Sequence, residues 1–481
     1  MRLTVPEPKI ELYKDGFDEH DQLSRKPTGE KLSDLVERID DPLVIALDGS
    51  WGSGKSFFLK CWVGEHLQRK GKTTQTVYFD AFKHDFLDDP LIALTDAIAA
   101  RFEKNEKLTS ADSKAKTGKI KKVAWLLGKS GLKIGASLAT FGAANQLEEL
   151  GDAVATAVGD ETKALLDSNI GDAESDSFWA AQRAKIAAME AFKQALVELT
   201  EPATEADVKK ALEADQKLKK GDPTQKLVIV IDELDRCRPD YALSLLEIIK
   251  HFFNVNGVHF VLGVNLKELQ NSVRARYGNG VDAEKYLQKF IHLTMQMSEM
   301  VSTDRTSHKN DQSQYFSTVA KQLGLPEEGG VGKTVFNILE GICPPSLNLR
   351  EVEQIASRCS LVPEIDDFIH GYVARVLIST LIILRVSNSK LFEKAVTGNI
   401  QLSELCSFFN IPEDEGSIIR TPAVTIWAIW AHCCGQKVNA AIVIEESNRP
   451  NLSLEDYDEN SFKRLSEQYI SRFSFYGNRR D

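Results

Sequence analysis

The sequence has no excess of basic residues, no paired cysteines and no long charge-free apolar run, and each absence narrows what the chain does. Its 59 basic side chains are outnumbered by 70 acidic ones, for a formal charge of −11. That balance excludes nonspecific nucleic-acid binding by the whole surface and leaves such contact only to a local basic patch. The seven cysteines, Cys61, Cys237, Cys343, Cys359, Cys406, Cys433 and Cys434, are scattered and lack metal-ligand spacing. They read as reduced thiols, not as a disulfide framework or a zinc site. No apolar stretch follows Arg2 in the opening MRLTVPEPKIELYKDGFDEHD, so no secretory signal is expected and the expected location is cytoplasmic.

The segment KVAWLLGKSGLKIGASLATFGAA, Lys122 to Ala144, is long enough to cross a bilayer as a helix. Its charges argue against crossing, because Lys129 and Lys133 would each cost roughly 2.5 to 3.5 kcal/mol near the bilayer centre. An integral membrane protein is therefore not expected. The stretch reads first as a helical hairpin packed on the protein or a partner. With Lys114, Lys116, Lys119 and Lys121 upstream, peripheral contact with an anionic membrane or a phosphate backbone is the alternative.

What is present is an ordinary globular composition, 42% apolar and 27% charged over 481 residues, which predicts two or three folded units. Short apolar runs at 43–49 (LVIALDG), 75–81, 227–232 (LVIVID) and 259–265 read as buried parallel strands, with a further strand expected within Phe290 to Met297. Helical patterns at 55–69, 91–104, 178–200 and 240–253 alternate with them. The fold class predicted is α/β, with a mostly parallel doubly wound sheet, a helical insertion and a C-terminal helical domain. The expected division is an N-terminal extension over 1–20, a nucleotide domain over 21–310 with its insertion at about 104–220, and the helical domain over 311–481. The insertion is too long for a plain connection.

Chemistry concentrates in GSWGSGKS, residues Gly49, Ser50, Trp51, Gly52, Ser53, Gly54, Lys55 and Ser56. The pattern G-x-x-x-x-G-K-[ST] lies directly after a strand and before a helix, the context a phosphate-binding loop needs. Its glycines allow successive N–H groups to turn inward around phosphates at a helix N-terminus. Lys55 is placed to meet the β- and γ-phosphates and the Ser56 hydroxyl to ligate Mg²⁺, a hard cation that prefers oxygen. The second constellation, LVIVIDELDRCRPD, ends an apolar strand on Asp232 and Glu233. Asp232 is expected to hold the metal, directly or through water, and Glu233 to act as the base toward the attacking water. Arg236 and Arg238 either stabilise transition-state charge in a neighbouring subunit or pair with Asp235 and Asp240.

From these residues the chain resembles the KAP family of P-loop NTPases over roughly residues 20 to 360. The likeness rests on the tryptophan in GSWGSGKS, on YFDAFKHDFLDDPLIAL, on IDELDRCRP, on FVLGVN and on KYLQKFIHL. Phe82, Glu233 and Asn265 depart from the residues frequent at those places. The resemblance implies ATP with Mg²⁺ as cofactors and an extra strand between the two phosphate motifs. It also implies that Asn265 is a polar sensor of the γ-phosphate and that Arg350, in PPSLNLREVEQI, reaches back to the nucleotide. Asn265 reads equally as a helix N-cap, and Arg350 as a solvated helix arginine. Lys289 stands as a charge beside the site or a surface lysine. Asp80, Lys83, His84 and Asp85 read as loop charges, and His432 as a packing residue and not a metal ligand. The C-terminal Tyr469, Phe473, Phe475 and Tyr476 with neighbouring arginines read as an amphipathic docking helix ahead of a single-strand nucleic-acid surface.

The function expected is an Mg²⁺-dependent ATPase whose cycle switches assembly or partner activity. It would act as a homo-oligomer or with a partner effector, in the setting the resemblance implies for bacteria, defence against phage or plasmids. A membrane-associated nucleotide-dependent scaffold and a nucleic-acid-stimulated ATPase are the alternatives. No N-K-x-D element marks a guanine pocket.

Overall fold

Runs of Val, Ile and Leu bounded by Asp, Gly or Asn become the strands of one sheet, because β-branched side chains pack well on a pleated surface that is covered on both faces. The computed structural model describes residues 8–18, 20–21, 23–69, 74–87, 89–103, 189–190, 192–213, 218–251, 255–297, 311–342, 347–363, 371–412, 421–436 and 454–470. Two units are present, a sheet unit (Ile10–Gly49 and Lys55–Met297) and a helical unit (Met1–Lys9, Ser50–Gly54 and Ser298–Asp481). The segment 122–144 and most of the interval 104–188 lie outside the described residues, as do 471–481.

In the sheet unit the chain runs α1 (Lys26–Arg38), β1 (Leu43–Asp48), α2 (Lys55–Gln68), β2 (Gln75–Asp80), α3 (Ala81–His84), α4 (Pro90–Glu103), α5 (Glu205–Glu213) and β3 (Leu227–Asp232). It continues through a 3-10 turn (Leu234–Arg236) to α6 (Pro239–His251), β4 (Val258–Val264), α7 (Leu266–Tyr277), α8 (Ala283–Leu287) and β5 (Leu293–Gln296). Of the helix expected over 178–200, residues 189–190 and 192–199 are described, and they are helical. All strand pairs are parallel, in the order β2-β3-β4-β1-β5. The strand leading into the phosphate loop, β1, is thus separated by β4 from the acidic strand β3, the extra strand the resemblance implied.

Register brings Asp48 beside Val264, Asp232 beside Gly263 and Asp80 beside Asp232, so the polar C-terminal ends of four strands share one edge of the sheet. That edge is where ligands bind in open α/β sheets. Ile45, Leu47, Val228, Val230 and Val261 pack one face against Leu32 and Val36 of α1 and Phe58 and Trp62 of α2. Val44, Ala46, Phe79, Ile229 and Ile231 pack the other against α4 and α6. Each such fully buried Val, Leu, Ile or Phe side chain contributes about 1.5 to 3 kcal/mol. Phe17, fully buried, joins the first core with its ring 5.3 Å from Phe58.

The edge strand β2 does not offer its backbone freely. Tyr78 N–H donates to the Tyr13 hydroxyl at 2.9 Å and Arg101 Nε donates to Thr76 O at 3.0 Å. The Arg101 guanidinium also lies 4.0 Å from the centre of the Tyr13 ring. Covered in this way, the edge is a poor template for a foreign strand.

The helical unit contains α9 (Asp311–Leu323), α10 (Gly330–Gly341), α11 (Leu349–Cys359), α12 (Gly371–Ser387), α13 (Ser389–Val396), α14 (Leu402–Phe408), α15 (Thr421–Cys433) and α16 (Ser461–Leu465). Helix α12 is apolar on nearly every face and buried from Val373 to Leu384, as a central helix must be. Buried Trp430 satisfies its indole N–H on Thr380 Oγ1 at 2.9 Å, and His432 Nε2 lies 2.9 Å from Tyr457 O.

Candidate functional site

In the sheet unit, β1 leaves the core at Asp48, whose carboxylate accepts from Leu266 N–H at 2.8 Å and from Gln296 Nε2 at 3.0 Å. It thereby ties the ends of β1 and β5 to the start of α7. Gly49 N–H donates to Val264 O at 3.2 Å. Lys55, first residue of α2, is buried and donates from Nζ to Gly49 O at 2.6 Å. Burial lowers its pKa, opposed by the charges of Asp235, Asp232 and Asp48.

Asp232 ends β3 almost wholly buried. Its Oδ1 accepts Glu233 N–H at 2.9 Å and its Oδ2 accepts the Tyr78 hydroxyl at 2.6 Å, and it also hydrogen-bonds Ser56. Burial raises its pKa to about 6, opposed by the Tyr78 and Ser56 hydroxyls and reinforced by the nearby Glu233 charge. Gly263 makes room for it, since a Cβ there would lie 2.5 Å from Asp232 Oδ1. Glu233 is held in the left-handed region (φ 58, ψ 28), with its N–H also on Gly263 O at 3.1 Å. A non-glycine residue there costs about 1 to 2 kcal/mol, a strain that recurs at functional positions. Glu233 Oε1 accepts from Ser56 Oγ at 3.2 Å and pairs with Arg236 NH1 at 3.0 Å.

Of the two readings of Arg236 and Arg238, pairing with Asp235 and Asp240 is corrected at Asp240. Arg236 pairs with Glu233, and Asp240 pairs with Arg276 at 2.8 Å. Arg238 engages the Asp85 backbone oxygen and, through its own N–H, the Asp85 carboxylate at 3.1 Å. The reason is the tight turn over Leu234–Arg236, which carries Arg236 back over the residue three before it. Asn265 caps α7, its Oδ1 accepting from Lys267 N–H at 3.2 Å and Glu268 N–H at 3.4 Å. Asp80 likewise caps α3, and exposed Lys289 sits 5.3 Å from the Tyr286 ring centre, as a surface lysine does. Tyr78 and Asp48 are not singled out by the sequence reading; a polar residue among or ending apolar strand positions is the one signal available for them.

The middle of the phosphate loop, Ser50–Gly54, belongs to the helical unit. Gly52 and Gly54 adopt φ +83° and +82°, Trp51 is exposed, and Ser53 is buried with its Oγ unpartnered among the described residues. Asn348 caps α11 through a reciprocal pair with Glu351. A Cβ on Gly52 would lie 2.6 Å from Asn348 Oδ1 and 2.8 Å from Arg350 Cβ. Arg350, exposed near the start of α11, thus stands beside the loop.

This donor set fits a nucleotide phosphate with Mg²⁺. In the sheet unit, the buried ammonium of Lys55 suits phosphate oxygens. One serine and one buried carboxylate suit a cation that takes its other ligands from phosphate and water. Among the described residues no cluster of three or more His, Cys, Asp or Glu forms a closed metal cage.

Comparison with known proteins agrees with the fold. The family described as the KAP family P-loop domain matches residues 25–362. No curated protein matches. Two solved structures align over most of their length. The Aeropyrum pernix ORC2 protein (ADPNP-ADP complexes) has 13% identity, 95% of this chain and 91% of that one covered, and a TM-score of 0.31. Cdc6p from Pyrobaculum aerophilum has 12% identity, 93% and 95% covered, and a TM-score of 0.34. At such scores the two likenesses carry no further argument.

Proposed function

The chain belongs to the KAP family of P-loop domains, and from that membership we propose that it is an Mg²⁺-dependent ATPase whose cycle switches its own assembly or a partner's activity. The observation that carries the reading is the meeting of Lys55, Ser56, Asp232 and Glu233 at the C-terminal edge of the sheet. Ser56 and, directly or through water, Asp232 would hold Mg²⁺, which neutralises phosphate charge when bound. Lys55 exchanges Gly49 O for β- and γ-phosphate oxygens. Glu233 exchanges Ser56 for the attacking water and takes its proton. Asn265 Nδ2 reaches the same water or the γ-phosphate while Oδ1 stays on the helix cap, and Arg350 contacts phosphate from α11. The domain division is read as a nucleotide domain over 21–310 and a helical domain over 311–481. The setting is read as cytoplasmic defence through an effector partner or a second copy. Among the described residues no helix is long and apolar enough to cross a membrane.

Two variants test this. Lys55→Ala abolishes Mg²⁺-ATP binding, whereas Glu233→Gln binds it and turns it over at least about 100-fold more slowly. Sedimentation of Glu233→Gln with ATP then shows larger assemblies or captured partner, and Lys55→Ala shows neither. Normal turnover by Glu233→Gln removes Glu233 as the base. Slow turnover with no change in size or partner removes the switch. Unaltered plaque counts between wild type and Lys55→Ala in a phage challenge remove the defence setting.

A further inference from the structure

We propose that Tyr78 is a positioning residue that sets the Asp232 carboxylate for Mg²⁺, braced from the edge of the sheet by Tyr13. The proposal rests on the reading of Asp232 as the Mg²⁺-side acid. A carboxylate at the end of a strand can turn about its last bond, and only donors on both oxygens fix that rotation. Asp232 has Glu233 N–H on Oδ1 and the Tyr78 hydroxyl on Oδ2, the latter at 2.6 Å, the length of a charge-assisted O–H···O⁻ bond. Its remaining partner, Ser56, is the residue whose oxygen turns to the metal. Once it does, Tyr78 is the one side chain of this set still holding Asp232.

The tyrosine is itself held. Strand alternation puts Tyr78 on the face of β2 that packs toward α2, where Lys60 Nζ lies 5.9 Å from its ring centre. Its N–H is tied to the Tyr13 hydroxyl at 2.9 Å. Tyr13 adopts φ 70°, a left-handed conformation rare for a tyrosine, and its ring lies under Arg101, which also grips Thr76 O on the same strand. Backbone strain is thus spent on placing one phenol against β2, two bonds of the network away from Asp232. Burial and the Asp232 charge push the Tyr78 pKa upward, so it stays a donor.

Removing an outer partner of a metal-holding group typically weakens the metal by about 10- to 100-fold. In the full chain, Tyr78→Phe is therefore expected to raise the Mg²⁺ concentration needed for half-maximal thermal stabilisation by ATP about tenfold. Affinity for a fluorescent ATP analogue in EDTA stays the same, and kcat recovers at saturating Mg²⁺. Tyr13→Phe keeps the ring under Arg101 and shifts the Mg²⁺ requirement in the same direction by less. An unchanged Mg²⁺ requirement in Tyr78→Phe overturns the proposal, as does a lower melting temperature alone, the mark of a merely structural tyrosine. The Asp232→Asn background separates the two levels. There Tyr78→Phe adds no further Mg²⁺ shift, and an additive shift overturns the role of Tyr78. If Asp232→Asn by itself leaves the Mg²⁺ requirement unchanged, it is the assignment of Asp232 that fails.

Discussion

The buried Asp232 carboxylate makes the sheet unit less stable at neutral pH than at mildly acidic pH, and Asp232→Asn should remove that dependence. Burial raises the carboxyl pKa from 3.8 to about 6 in the folded protein. At 1.36 kcal/mol per unit, ionised Asp232 costs the folded state about 3 kcal/mol, with no discount for screening because the side chain is nearly inaccessible. The sign follows from linkage. Below the unfolded pKa both states are protonated and the group is neutral in effect. As pH rises toward the folded pKa the unfolded chain releases its proton first, so stability falls through the window from about pH 4 to pH 6 and then levels off. The difference in stability between wild type and Asp232→Asn should therefore shift against the wild type by about 2 kcal/mol between about pH 4.5 and pH 7. Asparagine cannot accept from both Glu233 N–H and Tyr78 O–H. With its oxygen on Glu233 N–H its amide can donate to the Tyr78 oxygen instead, and any residual loss, at most about 1 to 3 kcal/mol, is the same at every pH and offsets the curve without tilting it. Hydrogen exchange of the β3 peptide in nucleotide-free protein, corrected for intrinsic rates, reads the sheet unit separately from the helical one. Parallel curves for the two proteins would refute the buried-carboxylate reasoning. The wild type should also bind Mg²⁺ more weakly below about pH 6, where a proton occupies the same carboxylate.

Asn265→Ser keeps a good N-cap and should change stability by only a few tenths of a kcal/mol, while losing the amide proposed to reach phosphate. Turnover equal to wild type would leave Asn265 as a cap alone. Gly52→Ala should destabilise the helical unit by about 2 kcal/mol, combining the left-handed backbone cost with displacement of the Asn348 cap. Thermal unfolding and exchange of the 347–359 peptide check it, and unaltered protection would show that Asn348 yields freely.

What was legible in the sequence was local. A Gly, Lys and Ser pattern between a strand and a helix, and two acids ending an apolar run, carry their meaning within ten residues, because turn conformation, helix start and strand burial are set by neighbours in the chain. The strands lie where the apolar runs place them for the same reason, with ends differing by a residue or two, as at Leu43–Asp48 and Val258–Val264. The pairing of Arg236 with Glu233 is equally short in range, yet the sequence reading does not name it. Nothing in the local pattern marks it, because it depends on the left-handed backbone at Glu233, which folds the turn so that Arg236 meets Glu233.

Other features depend on tertiary structure. Tyr78 and Asp232 are 154 residues apart, and only the pairing of β2 with β3 puts a hydroxyl on that carboxylate. The order β2-β3-β4-β1-β5 is written in no single segment, yet it decides which strand ends share an edge. Gly52 looks like one more permissive glycine until α11 brings Asn348 and Arg350 against it, where any side chain would collide. Phe17 reads as part of a polar N-terminal stretch until it is found buried on Phe58. The motif's chemistry was set by covalent neighbours, and the partners that position it were set by packing, which brings together residues that no local pattern relates.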